Sequence, residues 1–130
     1  MRLLLDTQIA LWWLTDAKQV PAKAREWVEQ AEDGVFVSQA TLWELAIKVN
    51  LGKLRLDLPK FARQIERDGF RWLGIDNRHL LTVAGLPSVD DHKDPFDRLL
   101  VAQSMTEPLI LLSTDAKLSR YGTTVEIIDL

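Results

Sequence analysis

Short apolar runs recur along the chain, separated by segments whose apolar residues repeat every three to four positions. The first run, residues 2–5 (Arg-Leu-Leu-Leu), stops at Asp6 and reads as a strand buried on both faces. Ile9, Leu11, Trp12, Trp13 and Leu14 then predict a helix over 7–14. A second helix is predicted over about 21–32, where Pro21 suits the first helical position and Ala24, Trp27, Val28 and Ala31 share a face. Asp33-Gly34 is a turn, and Val35-Phe36-Val37-Ser38 has strong β propensity. The third helix covers roughly 39–51 and stops at Gly52. Alternation over 53–58 predicts a short extended piece, and Pro59 opens a helix that Gly69 ends. Residues 70–75 read as a third strand, Asp76 caps a helix to Ala84, and 86–93 is a polar loop. A helix over 95–106, a strand over 108–112, a short helix over 116–119 and a strand over 124–128 complete the order. Strands alternating with helices predict an α/β fold in three layers, α/β/α, around a parallel sheet of four to five strands. No repeat or linker divides residues 1–130, so one domain is expected.

Composition narrows the chemistry. The chain is 47% hydrophobic and 27% charged, the balance of a globular protein. It contains no cysteine, which excludes disulfides, thiol catalysis and cysteine-bound zinc and points to a reducing, cytoplasmic compartment. Asp6 interrupts the first apolar run too early for a signal peptide, and no stretch of about 20 apolar residues suggests a membrane span. The net charge of −3 is uneven. Between Lys48 and Arg71, seven basic residues stand against three acids, a local basic face on an acidic protein.

Carboxylates mark the predicted sheet's edge. Asp6 directly follows the first strand, and Asp115 follows the fourth after Ser113-Thr114. Asp97 lies in the first turn of the helix that returns into the fourth strand, with Asp94 at its N-cap and Pro95 at its first position. Glu44 falls about one and a half turns beyond the second strand, although Thr41 and Glu44 also have capping-box spacing. In an open parallel sheet the carboxyl ends of the strands form the ligand crevice. Four carboxylates gathered there repel one another unless a cation joins them. An all-oxygen set without a well-placed histidine favours Mg²⁺ or Mn²⁺, and such ions usually serve phosphate chemistry. Neither G-x-x-x-x-G-K nor G-x-G-x-x-G occurs, which argues against nucleotide triphosphate hydrolysis and dinucleotide redox chemistry. His79 reads as a partly buried structural residue, and most of the five tryptophans as core or protein interface.

Leu4-Leu5-Asp6-Thr7, Trp43-Glu44 with Lys48, the run His92-x-Asp94-Pro95-Phe96-Asp97-Arg98-Leu99-Leu100-x-Ala102-Gln103, and Thr114-Asp115 together resemble the PIN-domain ribonucleases. Within them the chain is most similar to the VapC-like toxins of bacterial type II toxin–antitoxin pairs. The resemblance spans the chain and implies a PIN-like fold and a Mg²⁺- or Mn²⁺-dependent endoribonuclease. It implies catalytic acids at Asp6, Glu44, Asp97 and Asp115, with Asp6, Asp97 and Asp115 ligating metal. Glu44 would complete the site by ligation or by orienting water, and Thr7, Asp94 and Thr114 would support it from behind. It further implies water attack on phosphorus leaving a 5′-phosphate and a 3′-hydroxyl, a homodimer, and a cognate antitoxin covering the site. Relatives often carry His after the Asp-Thr pair, where this chain has Gln8. Lys48, Lys53, Arg55, His92 and Arg98 are candidate RNA contacts.

Other readings of the same residues are a metal-binding phosphatase and a non-catalytic protein-binding module whose acids only cap helices. A haloacid-type phosphatase needs a second Asp two residues after Asp6, where Gln8 stands. A phospho-receiver needs a lysine near the last strand, and none lies beside Ile127-Ile128.

Overall fold

The fold was taken from a computed structural model, which describes residues 1–88 and 94–129. Its centre is a five-stranded, all-parallel sheet in the order β3-β2-β1-β4-β5. The strands are β1 (Leu3–Leu5), β2 (Val35–Ser38), β3 (Arg71–Leu73), β4 (Ile110–Ser113) and β5 (Val125–Ile127). The helices are α1 (Thr7–Thr15), α2 (Ala22–Gln30), α3 (Gln39–Asn50), α4 (Leu58–Arg67), α5 (Asn77–Ala84) and α6 (Pro95–Thr106), with 3-10 turns at Ala17–Gln19 and Ala116–Tyr121. The three-layer α/β/α arrangement expected from the alternation is therefore present.

Strand β1 shows why the sheet needs cover on both sides. Leu3, Leu4 and Leu5 are each fully buried, and the pleat sends Leu3 and Leu5 to one face and Leu4 to the other. Leu3 and Leu5 join a core with Ile9 of α1, Ala24 of α2, and Phe61 and Ile65 of α4. Leu4 joins a second core with Leu99, Leu100 and Val101 of α6, plus Leu118 and Tyr121. Helix α3 packs on both α4 and α6 and feeds Leu45 to the first core and Ala40 to the second.

Several boundaries differ from the sequence pattern. The alternating residues 53–58 pair with no strand; Leu54, Leu56 and Leu58 instead pack against the first core, so their alternation records burial. Helix α3 starts at Ser38, whose hydroxyl accepts from Ala40 N–H, so the Thr41–Glu44 spacing is not a capping box. Strand β4 begins later than expected and takes in Ser113 as its last residue. Helix α4 ends as its sequence suggests. Gly69 has φ +81°, and the Gly69 and Phe70 N–H groups bond back to Glu66 and Ile65 carbonyls, the double closure of a Schellman motif.

The strand order fixes the crevice. The chain leaves β1 toward β2 and β3, then crosses back to place β4 on the other side of β1. The reversal falls between β1 and β4, and ligands bind beyond the carboxyl ends of strands at such a point.

Candidate active site

Beyond the ends of β1 and β4 lies a cleft of about 430 Å³. Asp6, Glu44, Asp97 and Asp115 all line it, with Thr7, Lys48, Lys53 and Asp94 around them. Four different stretches thus supply the acids, each from an element end or early turn that points to the same edge.

Asp6 sits deepest, with only 6% of its surface exposed. It is the N-cap of α1: Ile9 N–H donates to its Oδ1 at 2.8 Å. Ser113 Oγ donates to its Oδ2 at 2.5 Å, and Ser113 Oγ in turn accepts from Asp115 N–H at 3.0 Å. Burial nonetheless pushes the Asp6 carboxyl up to about 6, and the charge of Asp97 adds to that rise. The hydrogen bonds from Ser113 and Ile9 oppose it without cancelling it. Asp6 and Asp97 therefore sense each other across the cleft.

Asp97 is held through its backbone. The Asp94 carboxylate caps α6 by accepting from Phe96 and Asp97 N–H at 2.9 and 3.1 Å. The residues just before two of the acids also touch: the rings of Trp43 and Phe96 meet edge to face, with centroids 4.9 Å apart. This contact ties the start of α6 to α3, and with it Asp97 to Glu44. Asp115 caps the following 3-10 turn, accepting from Lys117 N–H at 3.0 Å. Glu44 accepts from Thr7 Oγ1 at 2.8 Å and pairs with Lys48 Nζ at 3.0 Å.

Thr7 thus donates to Glu44 and Asp94 accepts from the Asp97 N–H, while Thr114 reaches Asp6 through a backbone hydrogen bond. Lys48 and Lys53 stand in the cleft. Arg55 does not: it borders a separate groove between α1 and α4. Arg98 is also turned away, donating to Pro87 O at 3.1 Å and to Tyr121 Oη at 2.9 Å. His92 lies outside the described residues. Trp43 is 55% exposed, so unlike Trp12 and Trp27 it does not belong to the core. Ser113 is a site residue that the sequence pattern did not single out.

A second group of potential ligands occupies the other end of α6. One atom each from Asp76, His79 and Glu107 lie within 4.8 Å of one another. Here the atoms already satisfy each other. Asp76 N–H donates to His79 Nδ1 at 3.0 Å, so the imidazole proton sits on Nε2, 2.6 Å from Glu107 Oε2. Arg78 pairs with both carboxylates. This group is a compensated structural knot. The cleft acids, by contrast, form an all-oxygen set open to the cleft, the donor chemistry that suits a hard divalent cation.

A doubly wound sheet with four carboxylates at its switch point defines an α/β protein with an acidic site. The PIN domain profile matches residues 3–123, and the chain belongs to this family. It is 27% identical over 119 residues to ribonuclease VapC22 of Mycobacterium tuberculosis, covering 91% of this chain and 90% of that protein. Among solved structures it is similar to VapBC2 from Rickettsia felis bound to a promoter DNA fragment, with TM-score 0.67, 13% identity, and 99% and 98% of the two chains covered. It is likewise similar to FitAcB from Neisseria gonorrhoeae, with TM-score 0.64, 19% identity, and 91% and 90% covered. These structural likenesses establish the fold.

Proposed function

We propose that this PIN-domain protein is a Mg²⁺- or Mn²⁺-dependent endoribonuclease and the toxin of a toxin–antitoxin pair. The observation that carries the reading is the cleft itself: Asp6, Glu44, Asp97 and Asp115 converge, and Asp97 helps to raise the Asp6 carboxyl. A binding module gains nothing from such repulsion. The similarity to ribonuclease VapC22 supports RNA as the substrate. The toxin–antitoxin systems among the structural neighbours support an antitoxin protein as partner.

Asp6, Asp97 and Asp115 would hold the ion. When bound, it would activate water and neutralise charge on the phosphoryl group. The protein's own contribution is placement. Ser113 and Ile9 fix both oxygens of Asp6, the Asp94 cap fixes the first turn of α6, and Lys48 and Lys53 bring positive charge for the RNA backbone. The products would carry 5′-phosphates and 3′-hydroxyls. A homodimer completes the reading, supported by large apolar side chains left exposed at Trp43 and Ile47 of α3, at Leu51 just after it, and at Leu80 and Leu81 of α5.

The decisive experiment compares the purified protein with Asp97→Asn on a mixed cellular RNA pool, in Mg²⁺, in Mn²⁺ and in chelator. Metal-dependent cuts with 5′-phosphate ends are expected from the native chain. Asp97→Asn should lower the rate by about a thousandfold or more, while melting several degrees higher in chelator because a repulsion is gone. Equal cleavage by both proteins, or none by either when the native chain binds Mn²⁺, overturns the assignment.

A further inference from the structure

Glu44 carries its own cation into the cleft. Its Oε1 accepts from Thr7 Oγ1 at 2.8 Å, and its Oε2 faces Lys48 Nζ at 3.0 Å. Thr7 Oγ1 also lies 3.0 Å from Oγ1 of the fully buried Thr41, so a three-membered chain of side chains anchors the carboxylate. The side chain of Glu44 is 12% exposed and that of Lys48 47%. The pair is therefore fixed at its inner end and open at its outer end. Its order on α3, Glu four residues before Lys, is the favourable one for a helix. An ammonium has three N–H donors, and Glu44 takes one.

We propose that Lys48 is the residue that grips the RNA phosphate in the cleft and that Glu44 is its positioning residue. Each oxygen of Glu44 has a partner that fixes its position, and Lys48 retains donors at the same cleft as Asp6, Asp97 and Asp115. A phosphodiester drawn toward three carboxylates needs a fixed cation at their border. A lysine restrained by a mostly covered, hydrogen-bonded glutamate supplies one at a lower ordering cost than a free surface lysine. Lys53, exposed on the same cleft, contributes general attraction.

The inference rests on the ribonuclease reading, and the tests separate the two. The first uses the full chain carrying Asp97→Asn, in chelator, binding a labelled single-stranded oligoribonucleotide across a range of KCl concentrations. Adding Lys48→Met should reduce the slope of log affinity against log salt by about 0.7, and Lys48→Arg should retain it. The second is a double-mutant cycle on kcat/KM in Mn²⁺ with otherwise native protein. Lys48→Met and Glu44→Gln should each lower kcat/KM about tenfold, and the double variant should be no worse than the poorer single one. Mn²⁺ affinity should be unchanged or tighter in Lys48→Met. An unchanged salt slope overturns the role of Lys48. Effects that multiply, with Mn²⁺ affinity falling in step in Glu44→Gln, make Glu44 an ion ligand and overturn its positioning role. No RNA cleavage by native protein together with no salt-sensitive RNA binding by Asp97→Asn overturns the ribonuclease reading and this inference with it.

Discussion

Helix α6 has carboxylates at both ends, and their surroundings are opposite. At its N-terminus Asp97 shares a cleft with Asp6, Glu44 and Asp115, and the buried Asp6 carboxyl is raised to about 6. At its C-terminus Glu107 meets Asp76, but Arg78 pairs with both and the buried His79 joins them. There Arg78 holds the Asp76 carboxyl below its usual value. One fold thus contains an acidic group closed by its own cation, Arg78, and another that faces an open cleft. Counting acids does not tell them apart; their burial and their partners do.

The largest effect on stability should follow from breaking the compensated end. His79 is fully buried, caps α5 by accepting from Asp76 N–H, and meets Glu107. His79→Ala removes both bonds and leaves a void, so we expect a loss of about 3 kcal/mol, roughly 10 °C in Tm. Glutamine is a normal third residue of a capping box, so His79→Gln should recover part of that loss. Cleavage per folded molecule should be unchanged in both, and added Zn²⁺ should not raise the Tm of the native protein. A Zn²⁺-dependent rise would make the knot a metal site and end the comparison.

A titration sharpens the contrast next, because the two ends should respond with opposite sign. In chelator, folded Asp6 keeps its proton up to about pH 6, whereas the unfolded chain releases it near 3.8. The folded state therefore binds more protons in that window. The Asp6 contribution is fully present below about pH 4 and is lost as pH rises through 6, by roughly 3 kcal/mol. Asp76 works the other way: its contribution is present above 3.8 and is lost as pH falls through its lowered folded value. Urea unfolding of native protein and Asp6→Asn between pH 4 and 7 isolates the first term as their difference. A difference that does not change with pH would remove the electrostatic argument for the cleft.

The residues themselves explain how much of this was legible. Asp94-Pro95 announced the start of α6, and the apolar runs with the acids after them announced β1, β4 and the crevice, because caps and buried strands are local patterns. Partners remote in sequence were not legible. Arg98 looked available to RNA until Tyr121 and Pro87 came to meet it. The capping-box spacing of Thr41 and Glu44 has no capping role, because Ser38 already caps the helix. The alternation over 53–58 carried the burial signal of a strand without a neighbour to pair with.

Ser113 is the clearest case of a role that only the sheet reveals, and it gives the smallest effect we expect to be measurable. Nothing in Ser-Thr-Asp says which hydroxyl turns inward. The register does, by making Ser113 the last residue of β4 and pairing Leu112 with Leu5 beside Asp6. The buried hydroxyl then donates to Asp6 and accepts from the Asp115 N–H, tying two of the proposed ion-holding acids together through one oxygen. Ser113→Ala should lower cleavage ten- to a hundredfold and weaken Mn²⁺ binding in parallel, the usual cost of losing a group that orients a metal's ligands. It should also raise the Asp6 pKa further, since a hydrogen bond to the charged form is gone. Ser113→Thr, which keeps the hydroxyl, should restore most of the activity if the extra methyl fits. Carbon-13 NMR of the Asp6 carboxyl in chelator reads the pKa change without relying on activity. A Ser113→Ala protein with native Mn²⁺ affinity and an unmoved Asp6 titration would reduce Ser113 to ordinary strand-end packing.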